Sequence, residues 1–258
     1  MGEDGLPPAL YEANVTANAS SIPILVYHQI ANAPKKGAPF RGLYVSPAAF
    51  ARQMAMLKVL GYQGMSMTDL QPYLRGDKSG KVVGITFDDG YLNNLTHALP
   101  VLQKQGFTST CYVVDGLLGK TNAWDAGVGI AQTSLMTAEQ LLQWQVGGQE
   151  VGAHTQDHVD LLTVNEITAW KQIAKSKTTL QTLLGKPVSH FCYPYGKFDE
   201  RHSTMAKQAT YETATTTARG RVHSATNMLT LPRVPVLRTT TLAAFWLKIA
   251  TKYEDGKV

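Results

Sequence analysis

The chain has 258 residues, 44% of them apolar and 17% charged, enough to bury one large core in a single α/β domain or in two small ones. With 22 Gly, 12 Pro and 9% aromatic residues, the composition excludes collagen-like, low-complexity and disordered chains. Lys and Arg outnumber Asp and Glu by 24 to 19, but they are scattered, with Lys35-Lys36 and Arg41 the nearest thing to a cluster. No recognisable nucleic-acid module accompanies them, so nucleic acid is excluded as the expected partner, and the diffuse positive charge suits an anionic polymer or a cell-wall surface.

The longest apolar run, Ile22–Tyr27, is interrupted by a proline and is far short of the roughly 20 residues a membrane span needs. Residues 1–22 show neither a charged n-region nor an apolar h-region, so an exported chain would already have lost its signal. The expectation is a flexible extension over residues 1–21 ahead of one domain over 22–258.

In chain order, Ile22–His28 reads as a strand buried on both faces. Ser46-Pro47 opens a helix with a serine cap and a proline at its first position, and Gly61 stops it. Val82–Phe87 is the clearest strand and ends at Asp88-Asp89-Gly90. A short helix over Pro100–Gln105 leads to a strand over Ser109–Val114. There follows a loop from Asp115 to Met136, a length that is usually functional. Thr137-x-x-Gln140 and Thr163-x-x-Glu166 read as capping boxes, with a strand over Glu150–Thr155 between the helices they start. Further strands are expected over His190–Tyr195, Glu212–Thr217 and Leu229–Val236, with helices near Asp199–Gln208 and Thr241–Ala250. Seven or eight strands alternating with helices describe an α/β fold, a single irregular or incomplete (β/α) barrel resembling a TIM barrel. No glycine-rich phosphate loop follows the first strand, which weighs against a dinucleotide-binding sheet.

In such a barrel chemistry belongs at the C-terminal ends of the strands. Asp88-Asp89 ends one strand, and adjacent carboxylates there either hold a cation or divide into a ligand and a base. Read alone, the same residues also suit an Asp-Gly turn. His154-Thr155-Gln156-Asp157-His158 ends another strand; two imidazoles and a carboxylate suit Zn²⁺ or a neighbouring first-row ion and leave a position open for water. Tyr193-Pro194-Tyr195-Gly196 closes a third strand, either as a plain turn or as a turn that aims the Tyr195 N–H into the pocket as an oxyanion donor. Cys111 and Cys192 sit in strand-like runs and suit buried, inert thiols. His97, His190 and His202 are expected to be structural, Trp144, Trp170 and Trp246 to be core, and Trp124, in the long loop, to stack on a sugar ring or on the loop itself.

Thr86-Phe87-Asp88-Asp89-Gly90, His154-Thr155-x-x-His158 and Tyr193-Pro194-Tyr195-Gly196, in this order, resemble the polysaccharide deacetylases of carbohydrate esterase family 4, the NodB homology domain. The resemblance spans roughly residues 22–240. Val26-Tyr27-His28-Gln29-Ile30, the Phe50–Gly61 helix and Leu231-Pro232-Arg233-Val234 look most like the poly-β-1,6-N-acetylglucosamine deacetylase branch. The resemblance implies hydrolysis of N-acetyl groups on a polysaccharide substrate outside the cytoplasm, dependent on a divalent metal, zinc first and cobalt or nickel next. Matched by motif, it implies Asp89, His154 and His158 as metal ligands and Asp88 as general base. It implies the Tyr195 N–H as oxyanion donor, with Tyr193 and Pro194 against substrate, where Trp124 would join them from the long loop.

Two departures stand out. Many members carry an arginine just before the Pro-Tyr pair, and Ser189–Tyr193 has none; Arg233 is the candidate replacement. Many also carry a late Leu-x-His that supplies the general acid, and none is present; His28 and His223 are the candidates. A β-1,4 glycan such as peptidoglycan or chitin, O-acetylated xylan, and a catalytically silent polysaccharide-binding barrel remain as alternatives. A glycosidase does not, because adjacent carboxylates cannot flank a glycosidic bond at the roughly 5 Å or more required.

Overall fold

The computed structural model describes residues 21–257, so the expected extension lies, except for Ser21, outside the described residues. The chain runs β1 (Ile24–Tyr27), β2 (Gln29–Ile30), β3 (Tyr44–Val45), α1 (Pro47–Val59), β4 (Gln63–Met65), α2 (Met67–Leu74) and β5 (Val82–Phe87). It continues through α3 (Leu99–Gln105), β6 (Thr110–Val113), α4 (Ala138–Val146), β7 (Glu150–Ala153), α5 (Glu166–Leu184) and β8 (His190–Cys192). α6 (Glu200–Gln208), β9 (Thr213–Arg219), β10 (Leu231–Pro235) and α7 (Leu242–Ala250) complete it.

Seven parallel strands close on themselves in the order β1-β10-β9-β8-β7-β6-β5, with β5 pairing back to β1. β4 pairs with the first half of β5 outside the ring, and β2–β3 form a separate two-stranded ribbon. The expected irregular (β/α) barrel is therefore what forms. β5 is buried along its whole length, as its unbroken apolar run requires. The main core lies between strands and helices, where Tyr27, Phe50, Phe87 and Trp144 pack ring against ring.

Local signals govern most helix starts. Ser46 accepts from the Ala49 N–H ahead of Pro47, and Thr137 and Gln140 form a reciprocal capping box. The cap of α5 is Asn165 rather than Thr163, because the Thr163 hydroxyl is committed to the Asp160 carbonyl in the preceding turn while Asn165 accepts from the Thr168 N–H. β4 and α2 went unread between Gly61 and Val82; Ser66 caps α2 by accepting from the Asp69 N–H, a signal masked by Pro72 inside the helix. Trp144 is core, but Trp170 and Trp246 are 39% and 44% exposed and face away from it. No helix among the described residues is long and apolar enough to cross a membrane.

Candidate active site

Every strand that carries a singled-out motif delivers it to the same end of the barrel. β1 and β5 pair in register, Tyr27 opposite Phe87, so the residues that follow, His28 and Asp88, emerge side by side with Nε2 3.9 Å from Oδ2. After β5 the chain turns through two consecutive left-handed residues, Asp89 (φ 76°) and Gly90 (φ 81°), which separates the two carboxylates in direction. After β7, Thr155 (φ 64°) and His158 (φ 56°) are also left-handed. The Thr155 hydroxyl accepts from the His158 N–H, and buried Gln172 of α5 accepts from the N–H groups of Gln156 and Asp157, so the two histidines are stapled in place. After β8, Tyr195 (φ 59°) precedes Gly196, where an added Cβ would lie 1.9 Å from the Thr217 hydroxyl. Four of the six non-glycine residues with positive φ among the described residues thus belong to these three loops. Such backbone costs of order 1–3 kcal/mol each and collects at functional sites.

Asp89 Oδ1 lies 3.5 Å from His154 Nε2 and 3.4 Å from His158 Nε2, and the three residues are buried. His154 Nδ1 is 2.7 Å from the Cys192 carbonyl, a contact only an N–H can make, so Nδ1 is the anchored nitrogen and Nε2 is the one turned toward Asp89. Burial lowers the His158 pKa to about 3, leaving that ring neutral. Burial alone would also lower the His154 pKa, but Cys192 and the Asp89 carboxylate raise it. The Asp89 pKa, pushed up by burial, is nonetheless held below the ordinary carboxylate range by the two rings. One carboxylate oxygen and two imidazole nitrogens converging without closing into tight hydrogen bonds fit a divalent first-row cation. A second grouping, Asp88, His154 and Cys192, is a poorer fit, since the Arg233 guanidinium already occupies Asp88 and lies 3.2 Å from the Cys192 sulfur.

Arg233 reaches from β10 across the barrel and grips Asp88 with two 2.7 Å hydrogen bonds, Nη1 to Oδ1 and Nη2 to Oδ2. It is further held by the Thr86 hydroxyl and the Thr216 carbonyl. Burial would push the Asp88 pKa up, yet the guanidinium overrides it and holds the carboxyl well below the usual range. Asp88 is thus an oriented anion.

A cavity of about 270 Å³ opens over these groups and is lined by His28, Asp88, Asp89, His154, His158 and Tyr195 among others. The Tyr195 N–H has no acceptor among the described residues. Tyr193 also lines the cavity, its ring packed against Phe191 and Phe198 and its hydroxyl donating to the Leu229 carbonyl, so it forms part of the wall. Pro194 is buried beneath the turn and does not line the cavity. His223, a candidate general acid by sequence, does not reach the cavity. It follows Val222, which bridges Ile22 at the N-terminal end of β1, and it faces Asp255 at 3.7 Å, away from the cavity. β9 returns to parallel β10 without a crossover helix, so the connection itself descends the barrel and takes His223 with it. Residues unread in the sequence also border the cavity: Tyr91, whose hydroxyl proton burial retains, Asp125, and Phe40. His97 is bonded to the Ile30 carbonyl and His202 caps α6 with Asp199, both structural as expected.

A family model described as polysaccharide deacetylase matches residues 75–214. YxkH of Bacillus subtilis (strain 168), named for the same family, is 29% identical over 223 residues, 86% of this chain and 73% of its own length. The poly-β-1,6-N-acetyl-D-glucosamine N-deacetylase of Escherichia coli (strain K12) is 36% identical over 74 residues, 28% of this chain and 11% of that protein. Among solved structures, the Streptococcus pyogenes deacetylase PplD in complex with acetate has a TM-score of 0.79 at 25% identity, covering 90% of this chain and 99% of that one.

Proposed function

Since this chain belongs to the polysaccharide deacetylase family, we propose that it removes N-acetyl groups hydrolytically from an N-acetylglucosamine polymer, poly-β-1,6-N-acetylglucosamine first, in a metal-dependent reaction outside the cytoplasm. The observation that carries the reading is the convergence of Asp89 Oδ1, His154 Nε2 and His158 Nε2 beside an Asp88 carboxylate fixed by Arg233. Asp89, His154 and His158 would hold a divalent cation, zinc being the best match to the donor set, which lowers the pKa of water and polarises an acyl carbonyl. Asp88, anionic and aimed by Arg233, takes the proton from the attacking water. The Tyr195 N–H donates to the oxygen that gains charge as the carbonyl carbon becomes tetrahedral. His28, next to Asp88, returns a proton to the departing amine nitrogen, so the products are acetate and a free amino sugar. The β-1,6 linkage is supported by the local match to the Escherichia coli enzyme and by the Val26–Ile30 motif.

The test is acetate release from β-1,6- and β-1,4-linked N-acetylglucosamine oligomers by chelator-stripped protein resupplied with Zn²⁺, Co²⁺ or Ni²⁺. Metal-restored release favouring the β-1,6 oligomer is expected. Release from the β-1,4 oligomer alone moves the substrate, and binding of glycan without release leaves a silent barrel. Asp88→Asn should keep the metal and lose about 10²–10⁴ in rate, whereas Asp89→Ala should lose the metal itself.

A further inference from the structure

The two histidines of the cluster are held by different means. His154 has the usual support of a metal-binding imidazole, its Nδ1–H donating to the Cys192 carbonyl at 2.7 Å. His158 has none: its Nδ1 is buried and has no hydrogen-bond partner among the described residues, on a residue whose own backbone is left-handed. Its orientation must come from packing. Tyr195 and His154 meet the ring edge-on, at centroid distances of 4.5 and 4.8 Å, and Trp124 lies against it at 4.4 Å with only 28° between the planes.

Trp124 is in turn placed by a fully buried residue two positions earlier. The Asn122 side chain accepts from the Thr133 N–H (2.7 Å) and donates to Asp125 Oδ2 (2.8 Å), and its carbonyl accepts from the Asp125 N–H (3.0 Å). These bonds close the loop between Thr121 and Ser134 around Trp124.

We propose that Trp124 is a positioning residue for His158: its stacked indole replaces the missing hydrogen bond, aims Nε2 at Asp89, and so sets the affinity of the site for a divalent cation. This rests on the metal reading above and revises the expectation that Trp124 is a sugar platform, since the imidazole covers one of its faces. The experiment measures Zn²⁺ affinity in the absence of glycan, by competition with a chromophoric chelator. Trp124→Leu should weaken binding about 10–100-fold, the usual loss when the support of a ligand is removed. Trp124→Phe, which restores a stacked ring, should recover most of it. Should the leucine variant fail to fold, 5-fluorotryptophan labelling of the wild-type chain gives the same answer. On Zn²⁺ addition the Trp124 fluorine resonance should shift, while those of Trp144, Trp170 and Trp246 stay put. A leucine variant that binds Zn²⁺ like the wild type, or a Trp124 resonance that does not move, overturns the inference alone. A wild-type chain that takes up no Zn²⁺ overturns the metal reading and the inference with it.

Discussion

The two ends of the barrel are built from the same residue types, yet only one end looks like a place for chemistry. At the N-terminal ends of the strands, Glu150 and His190 approach to 3.4 Å, close to the Asp89–histidine distances at the other end. There the resemblance stops. Glu150 also accepts from Thr68 and Thr110, and His190 Nδ1 is bonded to the Thr213 hydroxyl at 2.8 Å, so the cluster is hydrogen-bonded throughout and rests on ordinary strand backbone. The larger cleft, about 530 Å³, also lies at this end, lined by Ser66, Asp69, Glu150 and Glu212 among others. Neither carboxylate–histidine proximity nor available space marks a site. What distinguishes the candidate site is donor atoms that converge without closing into tight hydrogen bonds, on loops bent into costly conformations.

Three substitutions sharpen that contrast. The largest effect is expected from Arg233→Met, which strands Asp88 as a buried charge. It should cost about 3–5 kcal/mol of stability in denaturant unfolding, and acetate release per folded molecule should fall as well. Gly196→Ala comes next: the new methyl collides with Thr217 at a position with φ +67°, which should cost about 2 kcal/mol and displace the Tyr195 N–H, read as a loss of turnover with metal affinity retained. The smallest is Glu150→Gln at the opposite end, about 1–3 kcal/mol at neutral pH with turnover per folded molecule intact. Burial opposes ionisation of Glu150, but His190, Thr110 and Thr68 bring its pKa down to about 2, against 4.5 for an unhindered glutamate. The folded pKa is the lower, so its stabilisation is complete above about pH 4.5 and disappears as the pH falls toward 2. Melting curves of wild type and variant should therefore converge over that window; curves that stay apart would show that Glu150 acts through packing alone.

What could be read from the sequence was what chain neighbours dictate. Asp88-Asp89-Gly90, the His154–His158 pair and the Tyr193–Gly196 turn each sit within a few residues of a strand end, so strand pattern and motif together foretold a shared rim. Arg233 stood as the candidate for the arginine missing before Pro194, but its forked grip on Asp88 depends on β10 lying beside β1, which no local pattern encodes. His223 was misplaced because a strand-to-strand return without a helix leaves no signal of which end its residues occupy. Cys192 is buried as its strand-like run implies, but that its sulfur lies against both Arg233 and Asp88 was not legible, because the inward or outward choice in a strand buried on both faces is invisible to composition. The Asn122–Trp124–Asp125 arm was hidden in an irregular loop, whose shape one buried asparagine decides.

The grip of Arg233 on Asp88 also has a meaning in time. The two residues are 145 positions apart, and the three candidate metal ligands all precede residue 159. During synthesis, every candidate donor for a cation has therefore been made long before the counter-ion of Asp88. Until β10 emerges, Asp88 has no guanidinium to neutralise it, and the barrel interior cannot close over a lone carboxylate without a penalty of several kcal/mol. A shortened chain that lacks β10 would retain the candidate ligands yet leave Asp88 without its counter-charge. Emergence of β10 is thus the step at which the Asp88 carboxylate gains the counter-charge that lets it be buried.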